Sequence, residues 1–286
     1  MKNINLKSYA KINIALNINK KLDDGYHELD SVMLPLELHD SLLIKKLDSS
    51  ADNYVTIDDY SLGVINYNLA TSTIDRMATE YGFEDKFRVF IHKNIPIRAG
   101  LGGGSSNAAY TMKGVNTMLK LNMTREQMIS MALELGSDIP YFIDCVPSRV
   151  QGKGEIIQPI VIKNNYYCLL IKPPIGCSTK EVYEKSDTIK LGKANIDKVV
   201  EALANGDDDL LATSIYNALE EAAIIILPEI KELKQKLLDS GLKIVGMSGS
   251  GSCLFALSTN LADIKKAAKL FDDEKYFVEI TKIKKN

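Results

Sequence analysis

Groups that could hold a metal ion are scarce in this 286-residue chain. It has three histidines, His27, His39 and His92, and no His-Glu-x-x-His pair, so a histidine-based metal site is not expected. Its four cysteines, Cys145, Cys168, Cys177 and Cys253, are scattered without a Cys-x-x-Cys. That argues against a disulfide framework and a structural zinc, and suits a reducing compartment. Net charge is −2, which leaves no dominant basic surface for nucleic acid. The longest apolar run, Ala222 to Leu227, ends at Pro228 and is far too short to cross a bilayer. The opening Met-Lys-Asn-Ile-Asn-Leu-Lys has no apolar signal core. A cytoplasmic protein with no membrane partner is therefore expected.

Two familiar nucleotide loops are also missing. A P-loop needs Gly-Lys followed by Ser or Thr, but Gly152-Lys153 runs into Gly154 and Gly192-Lys193 into Ala194. A dinucleotide fingerprint would need a third glycine or alanine, where Ser105 or Asn107 stands. It would also need an acidic residue about 20 positions on, where the chain reads Lys-Leu-Asn-Met. Hydride transfer through such a fold is thereby disfavoured.

What is present is a glycine loop of another kind. Ala99 to Ala109 reads Ala-Gly-Leu-Gly-Gly-Gly-Ser-Ser-Asn-Ala-Ala, between an alternating strand (Phe87, Val89, Ile91) and an apolar-periodic helix. Glycines let backbone N–H groups turn toward an anion, and the helix start aims its unpaired N–H groups at the same point. Such a loop cradles phosphate, and a flexible Gly/Ser linker would not sit between a strand and a helix. Hydrophobic content of 45% and charged content of 25% fit a globular chain with a real core.

The rest of the chain alternates strands and helices. Lys11 to Asn19 reads as a half-buried strand with Ile12, Ile14, Leu16 and Ile18 on one face and Lys11, Asn13, Ala15 and Asn17 on the other. Asp23-Asp24-Gly25 is a turn signal, and strands are expected at 31–36, with Pro35 at an edge or bulge, and at 41–46. Helices are expected at 69–81, over 108–119, and from Thr124, where Gln127 completes a capping box, to Gly136. Beyond Ser137-Asp138-Ile139-Pro140 come a strand at 166–171, a loop to Tyr183, helices at 195–205 and 208–226, and a helix begun by Pro228. Strands at 242–247 and 252–257 flank a second glycine turn, Gly246 to Gly251; a helix at 261–271 and a strand at 276–283 close the chain. The pattern is α+β in two domains.

Several residues admit two readings. Lys11 and Asn13 share one strand face, and a strand lysine is ordinarily solvent-exposed. Asp138 can cap the next turn or orient an attacking hydroxyl in phosphoryl transfer. Tyr26-His27 can be a packed hairpin pair or a platform for a planar base. The turn at 246–251 can be a tight hairpin or an anion-approaching backbone.

Taken together, Ala10-Lys11-Ile12-Asn13-Ile14-Ala15-Leu16, Asp24-Gly25-Tyr26-His27, Pro96 to Ala109, Gly136-Ser137-Asp138-Ile139-Pro140 and Met247-Ser248-Gly249-Ser250-Gly251 span nearly the whole chain in order. The set resembles the galactokinase, homoserine, mevalonate and phosphomevalonate (GHMP) kinase superfamily. The resemblance implies a ribosomal-protein S5 domain 2-like N-terminal domain over 1–157 and a ferredoxin-like C-terminal domain over 158–286. It implies transfer of the ATP γ-phosphoryl group to a hydroxyl of a cytidine-diphosphate-linked polyol. Lys11 and Asp138 would form the catalytic pair. Pro96, Ile97, Arg98, Ala99, Gly100, Leu101, Gly102, Gly103, Gly104, Ser105 and Ser106 would wrap the ATP phosphates. Asn13, Tyr26, His27 and Tyr183 would contact the acceptor, with Tyr26 and Tyr183 offering faces to cytosine. Mg²⁺ would be bound mostly through the nucleotide, with Ser105 or Ser106 as a hydroxyl ligand and no protein carboxylate ligand indicated. Partners would be these small molecules, with no nucleic acid, and the chain would be a monomer or weak homodimer. Alternatives are a superfamily kinase for mevalonate, homoserine or a sugar, and a non-catalytic ATP-binding protein. The chain departs from the family pattern at Ser252-Cys253, where Pro is more usual, at Lys153 in place of Arg, and at Arg98-Ala99.

Overall fold

The computed structural model describes residues 1–23, 25–48, 52–58 and 68–285. Asp24, at the head of the Asp-Gly-Tyr-His motif, lies outside them. The chain forms two compact units that interleave along the sequence: Met1–Ala10, Leu38–Ile95 and Gly102–Cys145 in the first, and Lys11–Glu37, Pro96–Leu101 and Val146–Asn286 in the second. Two long paired strands, β1 (Asn3–Lys21) and β2 (His27–Lys46), each contribute to both units. A cut at 157/158 therefore falls inside the second unit.

In the first unit, Ser41 to Lys46 of β2 pairs antiparallel with β4 (Phe87–His92), and β3 (Tyr54–Ile57) joins β4 in parallel. Leu42, Ile44, Phe87, Val89 and Ile91 alternate into the core, as period-two patterning requires. Helix α1 (Leu69–Tyr81) buries Ala70, Ile74 and Met77 and packs on α2 (Gly103–Leu119), which buries Ala108, Ala109, Met112 and Val115. At Gly114 a Cβ would stand 2.4 Å from Ile44 Cδ1, so an added side chain would require that methyl group to shift. Asn68 caps α1 through a bond from Ala70 N (2.8 Å), and Gly82 ends it with φ +67°. The expected capping box of α3 (Arg125–Leu135) is present: Gln127 N donates to Thr124 Oγ1 (3.3 Å) and Thr124 N to Gln127 Oε1 (2.8 Å). One turn, α4 (Tyr141–Asp144), follows.

In the second unit, β5 (Ser148–Gly152) pairs with Leu29 to Met33 of β2 and with β6 (Ile156–Pro159). A four-stranded antiparallel sheet runs in the order β10 (Phe277–Lys282), β7 (Tyr167–Lys172), β9 (Leu254–Ser258), β8 (Ile244–Met247). Leu170 stands opposite Phe255, and Val245 opposite Ala256. Helices α5 (Thr179–Ser186), α6 (Ile196–Asn205), α7 (Asp208–Ser214), α8 (Glu220–Ile226), α9 (Glu229–Asp239) and α10 (Leu261–Ala268) complete this unit. Val182, Leu219, Ala222, Ile230, Leu233 and Ile264 share one core with Leu169, Ile171, Val245 and Leu254.

Four expectations need correction. The loop expected before Tyr183 contains α5, whose start is capped when Ser178 Oγ accepts Glu181 N (3.4 Å), a Ser-x-x-Glu signal that the sequence carries. The helix expected over 208–226 is two helices. Between them the chain pairs with β1, Leu16 N donating to Tyr216 O (3.0 Å) and Ala218 N to Leu16 O (2.9 Å), which removes those groups from helical bonding. The strands expected at 31–36 and 41–46 are one, β2, with Pro35 inside it and its carbonyl accepting Lys284 N (2.8 Å). Finally, β1 is buried on both faces from Ala10 to Asn17, not on one. Replacing Thr124 by alanine should lower unfolding free energy by about 1 kcal/mol in urea titrations, through loss of the α3 cap.

Candidate active site

The polar face of β1 gathers the second unit's candidate residues. Lys11 is 2% exposed and Asn13 1%. A buried ammonium demands polar partners, and Lys11 Nζ donates to Asn13 Oδ1 at 2.6 Å. The amide is oriented by its other end: Asn13 Nδ2 donates to Ser31 Oγ (2.9 Å), and Ser31 Oγ donates to Ala15 O (2.7 Å). The second glycine turn closes on this pair. Asn13 N donates to Ser248 Oγ (3.2 Å), and Ser248 Oγ donates to Gly100 O (2.9 Å). A Cβ on Gly249 would stand 3.2 Å from Lys11 Nζ, so the turn's backbone lies directly against the amine. Asn217, which the sequence did not single out, clamps the turn through Nδ2 bonds to Met247 O and Gly249 O, both 2.8 Å.

The first half of the glycine loop docks on the same cluster. Lys11 N donates to Leu101 O (3.0 Å) and Cys253 N to Ala99 O (3.2 Å). Gly100 has φ +73°, and a Cβ there would lie 2.0 Å from Ser248 O. Arg98 also has positive φ, 49°, and its backbone oxygen and Cβ abut Gly176. Pro96 is partly buried, while Ile97 and Arg98 face solvent.

The loop's second half belongs to the first unit. Gly102, in the left-handed conformation, precedes α2 and supplies no side-chain cap, and the first turn of α2 holds no acidic residue. Its N–H groups therefore present a positive helix end with no built-in anion. Gly103, Gly104 and Ser105 are accessible there, whereas Ser106 is buried, and its hydroxyl has no hydrogen-bond partner. A buried Asp40, absent from the sequence-derived candidates, braces this end. Its Oδ1 accepts Asn94 N and Ile95 N (2.8 Å each), and its Oδ2 accepts Lys93 Nζ (2.5 Å) and Asn107 Nδ2 (3.1 Å). Lys93 Nζ lies 3.3 Å from where a Gly103 Cβ would stand, placing a cation beside the start of α2. No periodic or motif signal in the sequence distinguishes Asp40 from other strand carboxylates.

Asp138 sits half-buried in the turn between α3 and α4, in the first unit, whereas Lys11 belongs to the second. Beside it, Tyr141 is buried with a hydroxyl lacking a partner, and burial pushes that hydroxyl well above its ordinary range, so it stays protonated. Tyr26, His27 and Tyr183 all lie in the second unit. Tyr26 is 51% exposed, with Lys153 Nζ 5.7 Å from its ring centre, so lysine at the family's arginine position still places a cation here. The His27 ring packs on Tyr183 at 5.0 Å and bonds through Nε2 to Asp187 Oδ1 (2.7 Å). Asp187 Oδ2 accepts Lys21 Nζ (2.5 Å). The Lys21 bond and the His27 contact hold this carboxyl below its usual range. All four cysteines are free and buried, and burial pushes the Cys253 thiol up to about 12. Among the described residues, no group of three His, Cys, Asp or Glu could hold a metal, and no helix is long and apolar enough to cross a membrane.

The chain resembles known proteins in sequence and fold. A family model described as "GHMP kinases N terminal domain" matches residues 68–144, and one described as "GHMP kinases C terminal" matches 199–273. The chain is 35% identical over 276 residues to the 4-diphosphocytidyl-2-C-methyl-D-erythritol kinase of Thermodesulfovibrio yellowstonii, covering 93% of both chains. It is 33% identical over 282 residues to the kinase of that name from Bacillus pumilus, covering 96% of both. A crystal structure of 4-(cytidine 5'-diphospho)-2C-methyl-D-erythritol kinase superposes with TM-score 0.78 at 26% identity, over 98% of this chain and 100% of that one. A homoserine kinase from Cytophaga hutchinsonii, at 19% identity and TM-score 0.73, shares the fold.

Gly100→Ala should cost more than about 2 kcal/mol in thermal or urea unfolding, because the Ser248 carbonyl blocks the added carbon. Asp40→Asn should cost about 3 kcal/mol, since a buried lysine loses its counter-charge. Because the Asp187 carboxyl is held low in the folded chain, its contribution to stability is present above the unfolded value of about 4 and is lost as pH falls through the folded value. The stability gap between wild type and Asp187→Asn, followed from pH 7 downward, should therefore narrow only below about pH 4.

Proposed function

This chain belongs to the GHMP kinases, and from that membership we infer an ATP-dependent kinase that phosphorylates the 2-hydroxyl of 4-(cytidine 5'-diphospho)-2-C-methyl-D-erythritol, a step of non-mevalonate isoprenoid biosynthesis. The observation that carries the catalytic reading is the uncapped start of α2, with the partnerless Ser106 hydroxyl behind it, following a glycine loop bonded to the Lys11 strand. ATP phosphates would be held by residues 96–106, with backbone N–H groups and Lys93 countering their charge.

Transfer breaks the bond between the γ-phosphorus and its bridging oxygen and forms one to the acceptor's 2-oxygen, which loses its proton. Asp138 is assigned to that hydroxyl. A carboxylate is a weak base, so it acts by orienting the hydroxyl and taking the proton late. Lys11, its amine aimed by Asn13 and Ser31, offsets charge on the transferring group. Tyr26 and Tyr183 offer aromatic faces to cytosine, and His27 a hydrogen-bonding edge.

The unpartnered Ser106 hydroxyl fits a Mg²⁺ bound mainly through the nucleotide and would be the side chain that holds it. Bound there, the ion would neutralise phosphate charge. Four free cysteines support a reducing, cytoplasmic setting, and a net charge of −2 supports action on small molecules over nucleic acid.

The purified chain should release ADP with the cytidylyl substrate and not with mevalonate, homoserine or galactose; turnover of mevalonate alone would overturn the assignment. Asp138→Ala should lower kcat by roughly 10²–10⁴-fold with an unchanged circular dichroism spectrum, and near-normal turnover would remove Asp138 from the mechanism.

A further inference from the structure

Asp187 lies outside the glycine loop and the Lys11 strand, yet it bonds the imidazole of the base platform. It stands at the C-terminal cap of α5, one turn after Tyr183, so both face His27 from the same side of the helix. A carboxylate is electrostatically disfavoured at a helix C-terminus. A local preference broken in this way calls for a gain elsewhere.

We propose that Asp187 is a positioning residue for base specificity: it holds His27 in the Nε2–H tautomer, so that Nδ1 accepts cytosine's 4-amino group and refuses uracil's 4-oxygen. The inference rests on the assignment of a cytidylyl substrate to this platform. The carboxylate takes its Oδ1 bond from His27 Nε2 at 2.7 Å and its Oδ2 bond from Lys21 Nζ at 2.5 Å. An ionised carboxylate has no proton to give, so Nε2 carries the hydrogen. In a neutral ring that leaves Nδ1 with a lone pair. Cytosine presents an amino donor at C4, whereas uracil presents a carbonyl acceptor there. An acceptor facing the amino group forms a bond, and an acceptor facing the carbonyl leaves both unpaired. The ring cannot easily turn to offer its other edge, because its side chain is only 8% exposed and packs on Tyr183 at an interplanar angle of 33°.

The test compares the cytidylyl substrate with its uridine-diphosphate analogue on the full-length enzyme at about pH 8, where an ordinary histidine is neutral. Asp187→Ala should raise KM for the cytidylyl substrate roughly tenfold and shrink the cytidylyl-over-uridylyl preference by a similar factor. The loss should fall on KM and not on kcat, and KM for ATP should not move. Asp187→Asn keeps an oxygen that can accept from Nε2–H, so it should retain most of the preference. Lys21→Ala leaves the Asp187–His27 bond in place and should retain it too. On a His27→Ala background, Asp187→Ala should add nothing. An unchanged cytidylyl-to-uridylyl ratio in Asp187→Ala overturns the proposal, as does an equal loss on both substrates accompanied by a change in KM for ATP. A wild-type chain inactive on the cytidylyl substrate defeats the proposed function and this inference with it, a result distinct from an active enzyme whose ratio does not change.

Discussion

An ammonium group on a strand buried on both faces is the constraint on which the second unit turns. Lys11 lies in a segment where Ala10 through Asn17 are all withdrawn from solvent, so every polar atom there must find a partner within the protein. The partners come from far along the chain. Ser31 holds the Asn13 amide, Asn13 holds the amine, Ser248 bridges Asn13 to the glycine loop, and Asn217 pins the turn that carries Ser248. Each bond alone is modest, but leaving any buried member unpaired costs the full desolvation of that group. The network is therefore rigid, and it sets where the amine and the loop carbonyls lie.

The same logic, with the sign of the charge reversed, governs the first unit. Asp40 is a fully buried carboxylate answered by two backbone N–H groups, an amide and the Lys93 ammonium. By gathering them it fixes the segment that enters the glycine loop and the helix that leaves it. The segment entering the loop is thus braced by a buried anion, and the loop's middle by the Ser248 hydroxyl and the backbone N–H groups of Lys11 and Cys253. The uncapped helix end proposed to hold phosphate would then have its supports in place before any ligand binds.

How legible this was depends on the range of the interaction. The Thr124–Gln127 box and the glycine-rich turn before α2 are short-range patterns, and each was readable from neighbours within a few residues. The Ser178-x-x-Glu181 cap was equally local and was available to be read. The break in the helix at 215–219 was not, because it exists only where Leu16 of β1 pairs with Tyr216 and Ala218. Asp40, Asn217 and Asp187 carry no local mark either; their roles come from partners 53, 30 and 160 residues away.

The order and spacing of motifs along the chain determined the family and the type of chemistry, because backbone turns and helix starts are written in contiguous residues. Whether a lysine on an alternating strand points to water or into a buried cluster was decided by tertiary structure alone. Alternation shows that Lys11 and Asn13 share a face, but what covers that face comes from Ser31, Ser248 and Gly249. Burial is a property of the packed chain, and with it comes the demand for partners that turned an ordinary polar face into a buried, hydrogen-bonded cluster.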